Sequence, residues 1–245
     1  VDIISQVLAR EFGGEDRLEG LKIASLARPI IEKLPPRTGA FCAGCPHRAT
    51  MYSLMKATQR EEVYGGDIGC LTLSGLPPHY ASDWVTCMNC GLATSQGVSE
   101  VIADQKVITI VGDSTFFHSG VAALVNAVQR NADVLLIFLD NKWIAMTGHQ
   151  PSPTTNLTVD GERVSGINIR ELMRVLGVKY VRTIDPFNVR AMMNGILEAL
   201  EVPGFKVIIA ERECSLQADR RRRRLKPEED VYYDIDPERC QKCGE

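Results

Sequence analysis

Five short apolar runs, at residues 63–64, 107–111, 134–139, 180–183 and 206–210, punctuate the chain. Between them lie stretches with the spacing of amphipathic helices, at 48–58, 92–103, 120–129, 169–176 and 189–200. Short apolar runs without polar alternation are strands covered on both faces, and strands separated by helices pair in parallel. The pattern predicts an α/β fold, a parallel sheet with helices on both faces. Such sheets take ligands beyond the carboxyl ends of their strands, so the residues just after each run are the ones to weigh for chemistry.

The flanks read differently. Residues 1–38 combine helical spacing over 2–12 (Ile3, Ile4, Val7, Leu8), a stop at Gly13-Gly14 and a linker at 34–37. They are expected to be the tail of a preceding domain. The α/β domain is expected over 39–217. Residues 218–245 are expected to be linker, with five consecutive arginines at 220–224, and then the start of a ferredoxin-type module at Cys240-x-x-Cys243. With no initiator Met, the chain is expected to be a segment of a longer polypeptide. A net charge of −3 over 245 residues gives no reason to expect nucleic acid as a partner. No apolar run approaches the roughly 20 residues of a membrane span, and no signal peptide is visible, so a cytoplasmic protein is expected.

Cysteine narrows the chemistry. Of eight, six form the pairs Cys42/Cys45, Cys87/Cys90 and Cys240/Cys243, while Cys70 and Cys214 stand alone. A secreted disulfide scaffold would be shorter and denser in cysteine, so metal, cluster or redox work is the better reading. Cys42 and Cys45 precede the first helix, Cys70 follows the first strand and Cys214 follows the last. Those ends converge on one edge of a parallel sheet, where four thiolates suit either a [4Fe–4S] cluster or an all-thiolate zinc site. Cys87 and Cys90 read as buried, inert thiols.

A second constellation lies at the neighbouring strand ends. The run 107–111 leads into Gly112-Asp113-Ser114 and a helix, and the run 134–139 leads into Asp140-Asn141. A strand-end glycine lets the backbone approach a phosphate, and the helix start offers free N–H groups. Asp113 and Asn141 are hard oxygen donors of the kind Mg²⁺ takes along with phosphate and water.

This pair of motifs resembles the thiamine diphosphate signature, with Ser114 where a glycine is usual. The resemblance implies that Gly112, Asp113 and Ser114 meet the diphosphate, and that Asp113, Asn141 and the backbone carbonyl of Trp143 hold Mg²⁺. Residues 146–150, Met-Thr-Gly-His-Gln, resemble the loop that closes over the cofactor in the 2-oxoacid:ferredoxin oxidoreductases, which implies Thr147 and Gly148 as contacts. By the same resemblance Asp67, Gly69 and Met88 touch the cofactor, and His118 and His149 are candidates for touching substrate or cofactor. Cys42, Cys45, Cys70 and Cys214 match the family's cluster ligands one for one. Cys-Pro-His-Arg at 45–48, together with residues 112–120, is similar to the indolepyruvate-type members. What this implies is oxidative decarboxylation of indolepyruvate or another aryl pyruvate, with coenzyme A taking the acyl group and ferredoxin the electrons. A pyrimidine-binding domain and a second subunit would complete the site. The alternatives are an enzyme for pyruvate or another 2-oxoacid, or a non-redox thiamine-dependent decarboxylase with structural zinc.

Overall fold

The computed structural model describes residues 38–225 and 236–241, together with Val7, residues 10–13, Leu26, Arg28 and Pro29. The chain divides into two compact units, Val1–Thr38 and Gly39–Glu245. The linker expected at 34–37, most of the helix expected at 2–12, and Cys243 lie outside the described residues.

The second unit runs α1 (Pro46–Thr58), β1 (Val63–Gly65), a 3-10 segment (Gly69–Gly75), α2 (Cys90–Val98) and β2 (Val107–Gly112). It continues through α3 (Asp113–Thr115), a π segment (Phe116–Gly120), α4 (Val121–Arg130), β3 (Val134–Asp140), β4 (Trp143–Ile144) and β5 (Gln150–Pro151). It ends with α5 (Ile169–Val175), β6 (Tyr180–Ile184), α6 (Val189–Leu200), β7 (Lys206–Glu211) and α7 (Ser215–Leu225). Five strands form one parallel sheet in the order β1-β2-β3-β7-β6.

Alternate strand residues feed two cores. Leu135, Ile137 and Leu139 of β3 join Ile108, Ile110 and Ile208 beneath Met51 and Leu54 of α1 and Met192 and Ile196 of α6. Val134, Leu136 and Phe138 join Val107, Val111, Val207 and Ile209 beneath Leu92 of α2, Leu124 of α4 and Met173 of α5. Helices thus cover both faces, and every residue of β3 is buried, as a central parallel strand requires. The chain adds strands in one direction to β3, then places β6 at the edge and returns β7 between them. A reversal of this kind opens a crevice at the strand ends.

All five strands run one residue further at the carboxyl end than the apolar runs, because the residue that follows each run, Gly65, Gly112, Asp140, Ile184 or Glu211, still pairs in the ladder. The helix expected at 92–103 is instead Cys90–Val98; the Ser99 hydroxyl donates to the Gln96 carbonyl and competes with the next turn. The stretch expected at 120–129 belongs to a helical course that begins at Asp113 and passes through the π segment. The stretch from 218 expected as linker is helical as far as Leu225, and the expected 217/218 boundary falls inside α7. Ala218 and the arginines are strong helix formers, and Asp219 pairs with Arg222 at 2.7 Å and Arg223 at 2.9 Å, one turn away. Among the described residues no helix is long and apolar enough to cross a membrane.

Ile110, Ile137 and Ile208 form one rung across the middle of the sheet. Ile137→Ala should cost about 2–5 kcal/mol, read as a lower urea midpoint. Val125→Ala, on the exposed side of α4, should change stability by no more than about 0.5 kcal/mol. Equal midpoints for the two variants would contradict this core.

Candidate functional site

The carboxyl ends of β1, β2 and β3 open into a cavity of about 120 Å³. Gly69, Met88, Gly112, Asp113, Ser114, Asn141, Trp143 and Thr147, all implied as cofactor contacts by the resemblance, line it, and Cys70 shares the wall. Register explains the convergence. Gly112 pairs with Leu139 and Asp140 with Glu211, which sets Asp113 level with Asp140, one residue before Asn141.

Asp113 is 3% exposed. Its Oδ1 accepts from Ser114 N at 2.7 Å and its Oδ2 lies 2.9 Å from Ser152 Oγ. Ser152 Oγ is also 2.9 Å from Thr154 Oγ1, which donates to Asp140 Oδ1 at 2.7 Å. Each hydroxyl owns one proton. With Asp113 ionised, Ser152 donates to it and Thr154 to Asp140, and the contact between the hydroxyls has none. A protonated Asp113 fills all three. Consistent with that count, burial, and then the Asp140 carboxylate, pushes Asp113 up to about 7. Asp140 itself is held by Lys142 Nζ at 2.5 Å, which also reaches Glu211 at 2.7 Å.

Asn141 is fixed from both ends of its amide. Oδ1 accepts from Trp143 N at 2.9 Å, and Nδ2 lies 3.0 Å from His47 Nε2. His47 lines the cavity and is 5% exposed; burial lowers it to about 4, so the ring is neutral. Sequence reading quoted His47 within a motif and gave it no role. Its partner is 94 residues away, a pairing with no local signal.

Four expected contacts fall elsewhere. Asp67 is fully buried behind the wall, its oxygens accepting from Asn89 N at 3.0 Å and Gly112 N at 3.1 Å. It braces the strand ends rather than facing the cavity, and burial raises its carboxyl. Gly148 and His149 sit in the turn of a small hairpin in which β4 pairs with β5, outside the lining. His149 Nδ1 lies 3.2 Å from Arg220 Nη1. His118 is exposed on the π segment, outside the lining as well. Thr147, at the hairpin tip, is tied to Gln150 at 2.7 Å.

The four cysteines of interest lie beside this cavity. Cys45 N donates to Cys42 O at 3.2 Å across a turn that needs the left-handed backbone of Gly44, φ +65°. Ser215 Oγ reaches Ala43 O at 3.3 Å, laying the start of α7 against that turn. Cys214 N donates to Asn141 O at 3.0 Å. Burial, and after it Cys45, Cys214 and Cys42 in turn, pushes the Cys70 thiol up to about 11. Burial likewise raises Cys45, and Cys42 and Cys214 add to the rise. Cys42 and Cys214 thus act on both Cys45 and Cys70. Among the described residues no three His, Cys, Asp or Glu side chains stand close enough to hold a single metal ion. Cys87 is exposed, against the expectation of a buried thiol, and Cys90 Sγ accepts from Thr86 N at 3.1 Å.

Residues 67–210 match the family described as thiamine pyrophosphate enzyme, C-terminal TPP binding domain. The chain belongs to that family and is a thiamine-diphosphate-binding domain. It is similar to indolepyruvate oxidoreductase subunit IorA of Archaeoglobus fulgidus, at 37% identity over 204 residues, 82% of this chain and 33% of that protein. The subunit of the same name from Pyrococcus horikoshii is 32% identical over 251 residues, 97% of this chain and 38% of its own length. The chain therefore spans roughly a third of the length of these curated relatives. Among solved structures, a 2-oxoglutarate:ferredoxin oxidoreductase from Magnetococcus marinus shares the fold. Its TM-score is 0.64 at 21% identity, over 74% of this chain and 65% of that one.

Asp113 yields a signed prediction. Its folded value lies above the ordinary 3.8, at about 7. Its contribution to stability is therefore complete below 3.8 and lost as pH rises through about 7. Without added metal, the thermal midpoint of the wild type should fall relative to Asp113→Asn between about pH 4 and about pH 7 and level off above that. Parallel profiles for the two proteins would contradict the raised carboxyl.

Proposed function

We propose that this chain is the thiamine-diphosphate- and Mg²⁺-binding part of a 2-oxoacid:ferredoxin oxidoreductase. Its reaction is the oxidative decarboxylation of indolepyruvate or another aryl pyruvate to the acyl-coenzyme A, with ferredoxin taking the electrons. The observation that carries this reading is the gathering of Cys42, Cys45, Cys70 and Cys214 beside the cofactor cavity, with Cys214 hydrogen-bonded to the backbone of Asn141. A thiamine enzyme without redox work would use four thiols there only for structural zinc. The names of the relatives support the choice of substrate.

The residues fit the groups the reaction needs. Asp113 is a buried carboxylate crowded by a second one, an arrangement that gains from a divalent cation. Asn141 Oδ1 and the Trp143 carbonyl add neutral oxygens of the type Mg²⁺ accepts. The helical course starting at Asp113 offers backbone N–H groups to a diphosphate. Cys42, Cys45 and Cys214 lie near enough to Cys70 to raise its thiol, and four neighbouring thiols are the donor set a [4Fe–4S] cluster takes. When bound, thiamine diphosphate supplies the electron sink for decarboxylation and a [4Fe–4S] cluster a one-electron acceptor. The protein's share is to hold Mg²⁺ and diphosphate at the ends of β2 and β3, to screen the cavity under the Thr147 hairpin, and to keep the thiols adjacent. At about 120 Å³ the cavity is well below the roughly 300 Å³ of a complete ligand site, which supports a pyrimidine-binding domain and second subunit supplying the rest. Seven described thiols, all free, suit a reducing cytoplasm.

In the full-length subunit with its partner, Asp113→Ala and Asn141→Ala should each abolish Mg²⁺-dependent thiamine diphosphate binding while leaving the fold intact. Calorimetry showing wild-type affinity in either variant would remove the cation assignment. Purified without air, the same complex should contain a cluster seen by iron analysis and low-temperature EPR. Cys214→Ala should lose it as completely as Cys45→Ala, whereas Cys90→Ala should keep it. Zinc in place of iron would replace this reading with a non-redox thiamine-dependent decarboxylase.

A further inference from the structure

An amide side chain has a direction, and at Asn141 the direction is legible. The Trp143 N–H is only a donor, so the amide atom 2.9 Å away from it is Oδ1. Nδ2 therefore faces His47, and an amide nitrogen has no lone pair to offer. His47 Nε2, at 3.0 Å, must be the acceptor, which places the ring proton on Nδ1.

His47 is itself held. It occupies the first turn of α1, directly after Pro46, and Phe41 packs edge-on against its ring at 6.5 Å between centroids. Asn141 is 5% exposed, so water does not readily replace a lost acceptor. Without His47 the Nδ2 protons would be buried and unpaired, and the amide would gain by turning toward any other acceptor.

We infer that His47 is a positioning residue for the cation site: it keeps the Asn141 nitrogen on its own side and so keeps the oxygen, the one atom of that side chain able to ligate, on the other. The inference rests on the reading of Asp113 and Asn141 as Mg²⁺ ligands. It gives the Cys-Pro-His segment at 45–47 a second task, since two residues after a cluster thiol the same turn orients a ligand of the neighbouring site. Partners that orient a metal ligand commonly change metal affinity tenfold to a hundredfold when removed.

The test compares two replacements in the full-length subunit with its partner, reading the Mg²⁺ concentration that half-saturates thiamine diphosphate binding. His47→Gln keeps an acceptor and should stay within about threefold of the wild type, while His47→Leu keeps the volume without one and should need at least about tenfold more Mg²⁺. If the Leu variant does not fold, His47→Met carries the same expectation with a more adaptable side chain. Equal Mg²⁺ dependence in the Gln and apolar variants, whether both normal or both weak, overturns the inference. Asp113→Ala is measured alongside. If it binds with unchanged Mg²⁺ dependence the cation site itself falls, and if it is impaired while the His47 variants match, only the role of His47 falls.

Discussion

Parallel pairing of β2, β3 and β7 is the constraint on which the site depends. Gly112, Leu139 and Ala210 lie side by side in the ladder, so the chain leaves all three strands along one edge. Asp113, Asn141 and Cys214 are brought together by that edge and by nothing in their sequence separation. Two apolar cores, one on each face, hold the edge in place, and of the cavity lining only Leu71 belongs to one of them, with Cys70 packed against it. The polar groups buried there are expensive unless paired. Asp67 is paired with two backbone N–H groups, Asp140 with Lys142 and Thr154, and Asn141 with Trp143 and His47. Asp113 is paired as well, with Ser114 N–H and Ser152, but it stands beside the Asp140 carboxylate, and a bound cation would offset that crowding.

Sequence reading went far because both cores draw on uninterrupted apolar runs such as 134–139, which can be little other than buried strands. The strand-end motifs followed from that placement, and eight of the expected contacts line one cavity. Proximity along the chain does not fix which way a side chain faces where the backbone turns. His118 is five residues from Asp113 but points outward from the π segment, and His149 sits at the far side of a hairpin turn with φ +64°. His47 escaped notice for the opposite reason, its meaning lying in a bond across 94 residues. The arginine run, expected as linker, is helical, a feature its helix propensity carries and its charge does not.

The bond from Cys214 N–H to the Asn141 carbonyl has one more consequence. A single peptide unit belongs to both halves of the site: its carbonyl receives the thiol-bearing segment, and the side chain of the same residue faces the cofactor cavity. Strain introduced at either end is therefore shared. Equilibrium linkage is reciprocal, so whatever free energy one occupant gains from a settled Asn141, the other gains equally. On the proposed reading, any coupling between the two occupants through Asn141 is reciprocal, and the order in which they are filled changes the path without changing the final balance.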